Sequence, residues 1–182
     1  MTNFDAILYN FFMKLRMITK TAVMTAIIAV CTFVSIPTPF GISITLQTFA
    51  VVLTGAFLGP VYGIFSVLAY IALGAVGVPV FSNFSGGAQV LVGVTGGFIF
   101  GFIPLAVLAG IKTKHIWLDI IISCVGICVC HIIGVMQFSL VTHNMFFASF
   151  LTVSFPFLLK DFISAALAVF LVRKITKRYP NL

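Results

Sequence analysis

A chain of 182 residues that is 62% hydrophobic, only 7% charged and has a mean hydropathy of +1.26 cannot clothe itself in a water-facing surface. A soluble globule of this length carries about a quarter of its residues as charges, so that class is excluded and an all-α polytopic membrane protein is indicated. No hydrophilic stretch is long enough for a second domain, and residues 1–182 read as one integral membrane domain.

The opening MTNFDAILYNFFMKLRMITK places its Phe-rich stretch before its charges and is followed by no small-residue cleavage site, unlike a signal peptide. Residues 1–17 are therefore expected to form a short amphipathic lead-in helix at the membrane surface. Apolar runs near the ~20 residues needed to cross the hydrocarbon core predict a bundle of six transmembrane helices over 18–172, at 18–36, 44–58, 61–77, 90–111, 116–140 and 151–172, with a basic tail at 173–182. Between the second and third spans lies only LGPVYG, so a turn on Gly59 and Pro60 makes them antiparallel neighbours.

Charge sets direction. Lys14, Arg16 and Lys20 precede span one, Lys112 and Lys114 separate spans four and five, and Arg173, Lys174, Lys177 and Arg178 follow span six. With six crossings, nine of the ten Lys and Arg fall on one face, which the positive-inside rule makes cytoplasmic, with both termini. The net charge of +7 is thus explained by topology, without nucleic acid. The opposite links, IPTPFGISITLQ, GVPVFSNFSGGAQ and THNM, are uncharged apart from protonation of His143 and resemble pocket walls. The 78–89 segment is too apolar to float in water and is expected to fold back over the bundle.

Gly93, Gly97 and Gly101, and likewise Gly55, Gly59 and Gly63, recur every four residues, a spacing that lets helix backbones approach closely. Ala22 and Ala26 form another small pair on span one, suited to packing or to docking a partner. Cys124, Cys128 and His131 share one face of span five, but their spacing matches no zinc signature, and no metal or cofactor is assigned. The chain has no G-x-S-x-G elbow and no P-loop, so neither serine-hydrolase chemistry nor ATP hydrolysis is expected of it.

The sharpest local feature lies in FPFLLKDFISAALAVFLV, residues 155–172, where Lys160 and Asp161 interrupt an apolar span. A charge at the bilayer centre costs roughly 2.5 to 3.5 kcal/mol or more, so both must face protein or water. Neighbouring helix residues point about 100° apart, which predicts that each meets a different group rather than clasping the other.

ITLQTFAVVLTGAFLGPVYG, YIALGAVGVPVFSNFSGG, GVTGGFIFGF and PFLLKDFISAALA together resemble the BioY family, the biotin-specific substrate-capture subunits of energy-coupling factor transporters, in order from about residue 20 to 172. That resemblance implies a six-helix membrane subunit binding biotin from outside, with a transmembrane coupling protein and a cytoplasmic ATPase pair as partners. It implies that the small-residue face of the first helix, here Ala22 and Ala26, meets the coupling protein. Two motifs depart from the family's. Val94 stands where Pro usually precedes Thr-Gly-Gly, and in the late Pro-Phe-x-Pro-Gly-Asp-x-x-Lys-Ala the Lys position is Ser164 while Lys160 occupies the Gly position.

Biotin carries ureido N–H donors, a carbonyl acceptor, a thioether body and a carboxylate, each needing a partner where buried. Asp161 is the expected ureido acceptor, and Lys160 a cation able to hold the carboxylate if its stem curls into the pocket. Asn83, Gln47 and Gln89 offer amides, and Phe49, Tyr70, Phe81 and Phe84 apolar walls. A subunit for another small vitamin and a stand-alone solute carrier are the competing readings.

Overall fold

The computed structural model describes residues 3–39 and 42–179. Lead-in and first span form one unbroken helix, α1 (Asn3–Phe33). A short antiparallel hairpin follows, β1 (Ser35–Ile36) on β2 (Ile44–Thr45), pairing Ser35 with Thr45. This strap delivers the chain into α2 (Gln47–Ala75), which takes in most of the second and third predicted spans. Its two arms fold back on Gly59, whose φ of 81° and ψ of 174° lie where only glycine is comfortable, and Pro60 then restarts the helix. A methyl group added to Gly63 would lie 3.1 Å from the Gly55 Cα, although residues eight apart in a straight helix are separated by about 12 Å. The arms are therefore antiparallel neighbours.

Residues 78–89 fold back onto the bundle. Phe81 pairs with Ser85, a 3-10 turn spans Ser82–Phe84, and the Phe81 ring enters the interior edge-on to Tyr70 with centroids 5.5 Å apart. It occupies the room left by the missing side chain of Gly74. The predicted fourth span proves to be two helices, α3 (Ala88–Val92) and α4 (Gly96–Ala109), separated by a break at 93–95. The break frees backbone carbonyls that lipid cannot satisfy. Gln137 of α5 (Ile116–Thr142) does so instead, its Nε2 donating to Leu91 O and Gly93 O at 2.8 Å each.

Span six likewise divides. The chain bends at Ser154 between α6 (Phe146–Val153) and α7 (Phe155–Arg178), so the last long helix starts at 155 rather than 151, with Pro156 in its first turn. The basic tail continues α7 to Arg178 instead of leaving the helix at 173.

Four helices are long and apolar enough to cross a membrane, Phe11–Phe33, Gln47–Ala75, Ile116–Thr142 and Phe155–Arg178, with Gly96–Ala109 a shorter apolar one. Their outer faces suit a lipid solvent. Ile121, Val125, Ile132, Met136 and Leu140 on α5, and Leu159, Ile163, Leu167 and Phe170 on α7, are exposed at spacings of three, four or seven residues. Asp119, Ser123, His131, Asp161 and Ser164 are turned inward on the same helices. Helix α4 packs close against α5, since a side chain at Gly97 or Gly101 would meet Ile133 O at 2.6 Å or Cys130 Cα at 2.8 Å. This is a multi-pass membrane protein whose core lies where α2, α4, α5 and α7 meet.

Candidate functional site

Two ends of the bundle differ in chemistry. At one, Lys20 stands over the Phe57 ring, Gly110 abuts the Gly59 and Pro60 turn, and Arg173 reaches Thr113 and Asp119, so the basic segments gather there. At the other end opens a partly enclosed cavity, with about 700 Å³ of free space when the open mouth is included.

Every layer of that end contributes a wall. The strap supplies Ile42, Ser43 and Thr45, the start of α2 supplies Gln47 and Thr48, and its second arm supplies Tyr70. Phe81 and Ser82 come from the folded-back segment, and Thr95 from the helix break. The apolar interior is formed by Phe98, Ile99 and Phe102 of α4, with Ile127 and Cys130 of α5 and Phe157 of α7. His131, Lys160 and Asp161 complete the lining.

The charged group on α7 draws on α5 and on the bend between α6 and α7. Asp161 is 4% exposed. Its Oδ2 accepts from His131 Nε2 at 3.1 Å, and His131 Nδ1 lies 2.6 Å from the hydroxyl of Ser154, which the bend between α6 and α7 aims inward. A carboxylate only accepts, so Nε2 carries the proton, and the serine holds the ring in that orientation from behind. Asp161 Oδ1 is 2.5 Å from Lys160 Nζ, an ion pair without hydrogen-bond geometry, and it is one of two buried side-chain oxygens lacking a hydrogen bond among the described residues. Lys160 also donates to Thr45 O at 2.8 Å, tying α7 to the strap. The two neighbours therefore do clasp one another. The 100° offset between their Cβ directions is spanned because the flexible lysine stem lies sideways across the helix.

A second polar set orders the opposite wall. Gln47 Nε2 donates to the Tyr70 hydroxyl at 2.7 Å, which donates onward to Val80 O at 3.2 Å. These bonds fix strap, helix and folded-back segment against each other while Tyr70 stays fully buried.

Of the residues singled out in sequence, Asp161, Lys160, Gln47, Tyr70 and Phe81 converge on the cavity. Asn83 stands outside its lining, exposed and in a left-handed conformation, donating to Ser43 Oγ at 3.0 Å while its Oδ1 accepts from Ser35. Gln89 is exposed and bonds its own loop at Gly86 O. Phe84 is exposed and stacks on Phe33 at 4.6 Å, and Phe49 packs against the core. Ala22 and Ala26 are exposed along a shallow apolar groove between α1 and the second arm of α2. Sequence reasoning passed over His131 as a partner of Asp161. It carried a usable signal, a titratable side chain in mid-span, which the nearby cysteines drew toward a metal reading. Among the described residues no His, Cys, Asp and Glu cluster suited to a metal occurs.

The sequence matches the BioY family over residues 4–181. It is 37% identical over 171 residues to the biotin transporter BioY of Thermotoga maritima, covering 90% of this chain and 97% of that one. Against the probable biotin transporter BioY of Pyrococcus horikoshii it is 34% identical, over 90% and 98%. The fold superposes on a crystal structure of the S-component for biotin from an ECF-type ABC transporter with a TM-score of 0.85 and 29% identity, over 97% of this chain and 95% of that one. A match along almost the entire sequence, with relatives covered nearly end to end, means that this chain belongs to the BioY family.

Proposed function

We propose that this chain is the biotin-capturing membrane subunit of an energy-coupling factor importer, a transporter component rather than an enzyme. The observation that carries the reading is the cavity itself: in a BioY-family chain, a mixed polar and apolar chamber opens opposite the basic end and holds one buried carboxylate with an unbonded oxygen. That oxygen touches only the Lys160 ammonium and keeps a lone pair for a further donor, such as a ureido N–H. Ring walls from Phe98, Phe102, Phe157 and Tyr70 suit the thioether bicycle.

Six crossings follow if α1, each arm of α2, α3 with α4, α5 and α7 each traverse once. The basic end then faces the cytoplasm with both termini, the first turns of α1 serve as the surface lead-in, and the cavity opens outside the cell membrane. Energy comes from partners, a transmembrane coupling protein seated on the groove at Ala22 and Ala26 and a cytoplasmic ATPase pair, since the chain has no P-loop. Equilibrium binding of labelled biotin to the purified protein tests the reading. Saturable binding displaced by biotin but not by thiamine or riboflavin is expected, and displacement by another vitamin with none by biotin would overturn it.

A further inference from the structure

Biotin has two polar ends, a cyclic urea and a carboxylate, held apart by the bicycle and the valerate chain. In the cavity, lysine and carboxylate are not apart. Lys160 Nζ lies 2.5 Å from Asp161 Oδ1 and 2.8 Å from Thr45 O. A pair in contact can grip one end of the ligand but not both.

The rest of the lining offers the other end no cation. None of the remaining nine Lys and Arg lines the cavity, and His143 is exposed outside it. His131 has both ring nitrogens engaged, with Asp161 and with Ser154. Toward the strap and the folded-back segment the polar groups are neutral, the half-buried Ser43 and Ser82, with the exposed Asn83 bonded to Ser43.

The urea, in contrast, fits the pair. A ring N–H and the adjacent carbonyl present a donor and an acceptor side by side, and Asp161 Oδ1 and Lys160 Nζ present the complementary acceptor and donor side by side. The N–H adds a well-directed hydrogen bond to buried Oδ1, which otherwise meets only the Lys160 ammonium. The carbonyl takes one of the three ammonium protons, of which Thr45 O uses one. With the head so placed, the tail runs to the serine-lined rim.

Resting on the biotin reading above, we propose that the Lys160 and Asp161 pair reads the ureido head and that the carboxyl end meets only neutral donors. The substrate class accordingly extends to biotin derivatives uncharged at the carboxyl, its amides and esters.

The test is displacement of labelled biotin from the purified, full-length protein by biotin, biotin primary amide and biotin methyl ester. Affinity for the amide within about tenfold of that for biotin is expected. Tight biotin binding with an amide weaker by more than that overturns the inference and leaves the biotin reading standing. Absence of biotin binding overturns the reading, and the inference with it. Lys160→Met supplies a second measurement: both ligands should weaken by the same factor, and loss confined to biotin would assign Lys160 to the carboxylate. Because the amide comparison uses wild-type protein, it decides the matter even if the variant fails to fold.

Discussion

Helices α5 and α7 are joined twice through a buried aspartate, once at each end of the bundle, and the two junctions differ in one respect. At the basic end, Asp119 is saturated. Its Oδ1 accepts from Thr113 N at 2.7 Å and Thr113 Oγ1 at 2.8 Å, and its Oδ2 from the guanidinium of Arg173, whose Nε lies 2.8 Å away. At the cavity end, Asp161 has one oxygen bonded to His131 and the other in ionic contact only. Both carboxylates are buried and paired, so neither burial nor charge separates them. What separates them is spare acceptor capacity beside open space. A satisfied network acts as a staple, and one with an acceptor unbonded can receive a ligand.

The largest expected effect breaks the staple. Arg173→Ala leaves Asp119 charged and unpaired, a fault worth about 3 to 5 kcal/mol when fully buried. The guanidinium is 36% exposed, and screening reduces the cost to about 2 kcal/mol. Thermal unfolding in detergent should register that loss, while biotin affinity stays within about twofold of wild type. A variant as stable as wild type but deficient in biotin binding would move the functional role to the basic end.

Asp161→Asn probes the open junction. It preserves shape, removes the charge that holds both Lys160 and His131, and turns half the acceptor into a donor. Biotin affinity should fall at least about tenfold, equivalent to about 1.4 kcal/mol, with a smaller change in unfolding temperature than Arg173→Ala produces. Unchanged affinity would remove Asp161 from the site.

The contrast between the junctions was only half legible in the sequence. Apolar run lengths, the Gly59 and Pro60 turn and the clustering of basic residues carry the long apolar helices and the basic end of the bundle, because lipid constrains composition residue by residue. Asp161 and Lys160 stand out for the same reason. Breaks at 93–95 and at Ser154 leave no such trace, since hydropathy continues through them and they are stabilised from another helix, as Gln137 does for Leu91 and Gly93. Asn83 and Gln89 illustrate the converse. Amides in an uncharged link read as ligand contacts, and nothing in the sequence signals the bonds that one makes to the strap and the other to its own turn. Partnership across 30 residues, as between His131 and Asp161, depends on helix rotation, and a single sequence does not report it.

The smallest effect sharpens the comparison most. Thr113 bonds Asp119 directly, whereas Ser154 reaches Asp161 only through His131. Ser154 itself lies outside the cavity lining, so Ser154→Ala acts on binding through a freer imidazole and a less fixed carboxylate. Biotin affinity should weaken about threefold in the wild-type background. In the Asp161→Asn background the same substitution should cost nothing further, because the group being positioned is gone. Equal losses in both backgrounds would mean that Ser154 merely packs the bend between α6 and α7. A double-mutant cycle separates these outcomes, since residues in one hydrogen-bonded chain couple by about 0.5 kcal/mol or more and independent ones add.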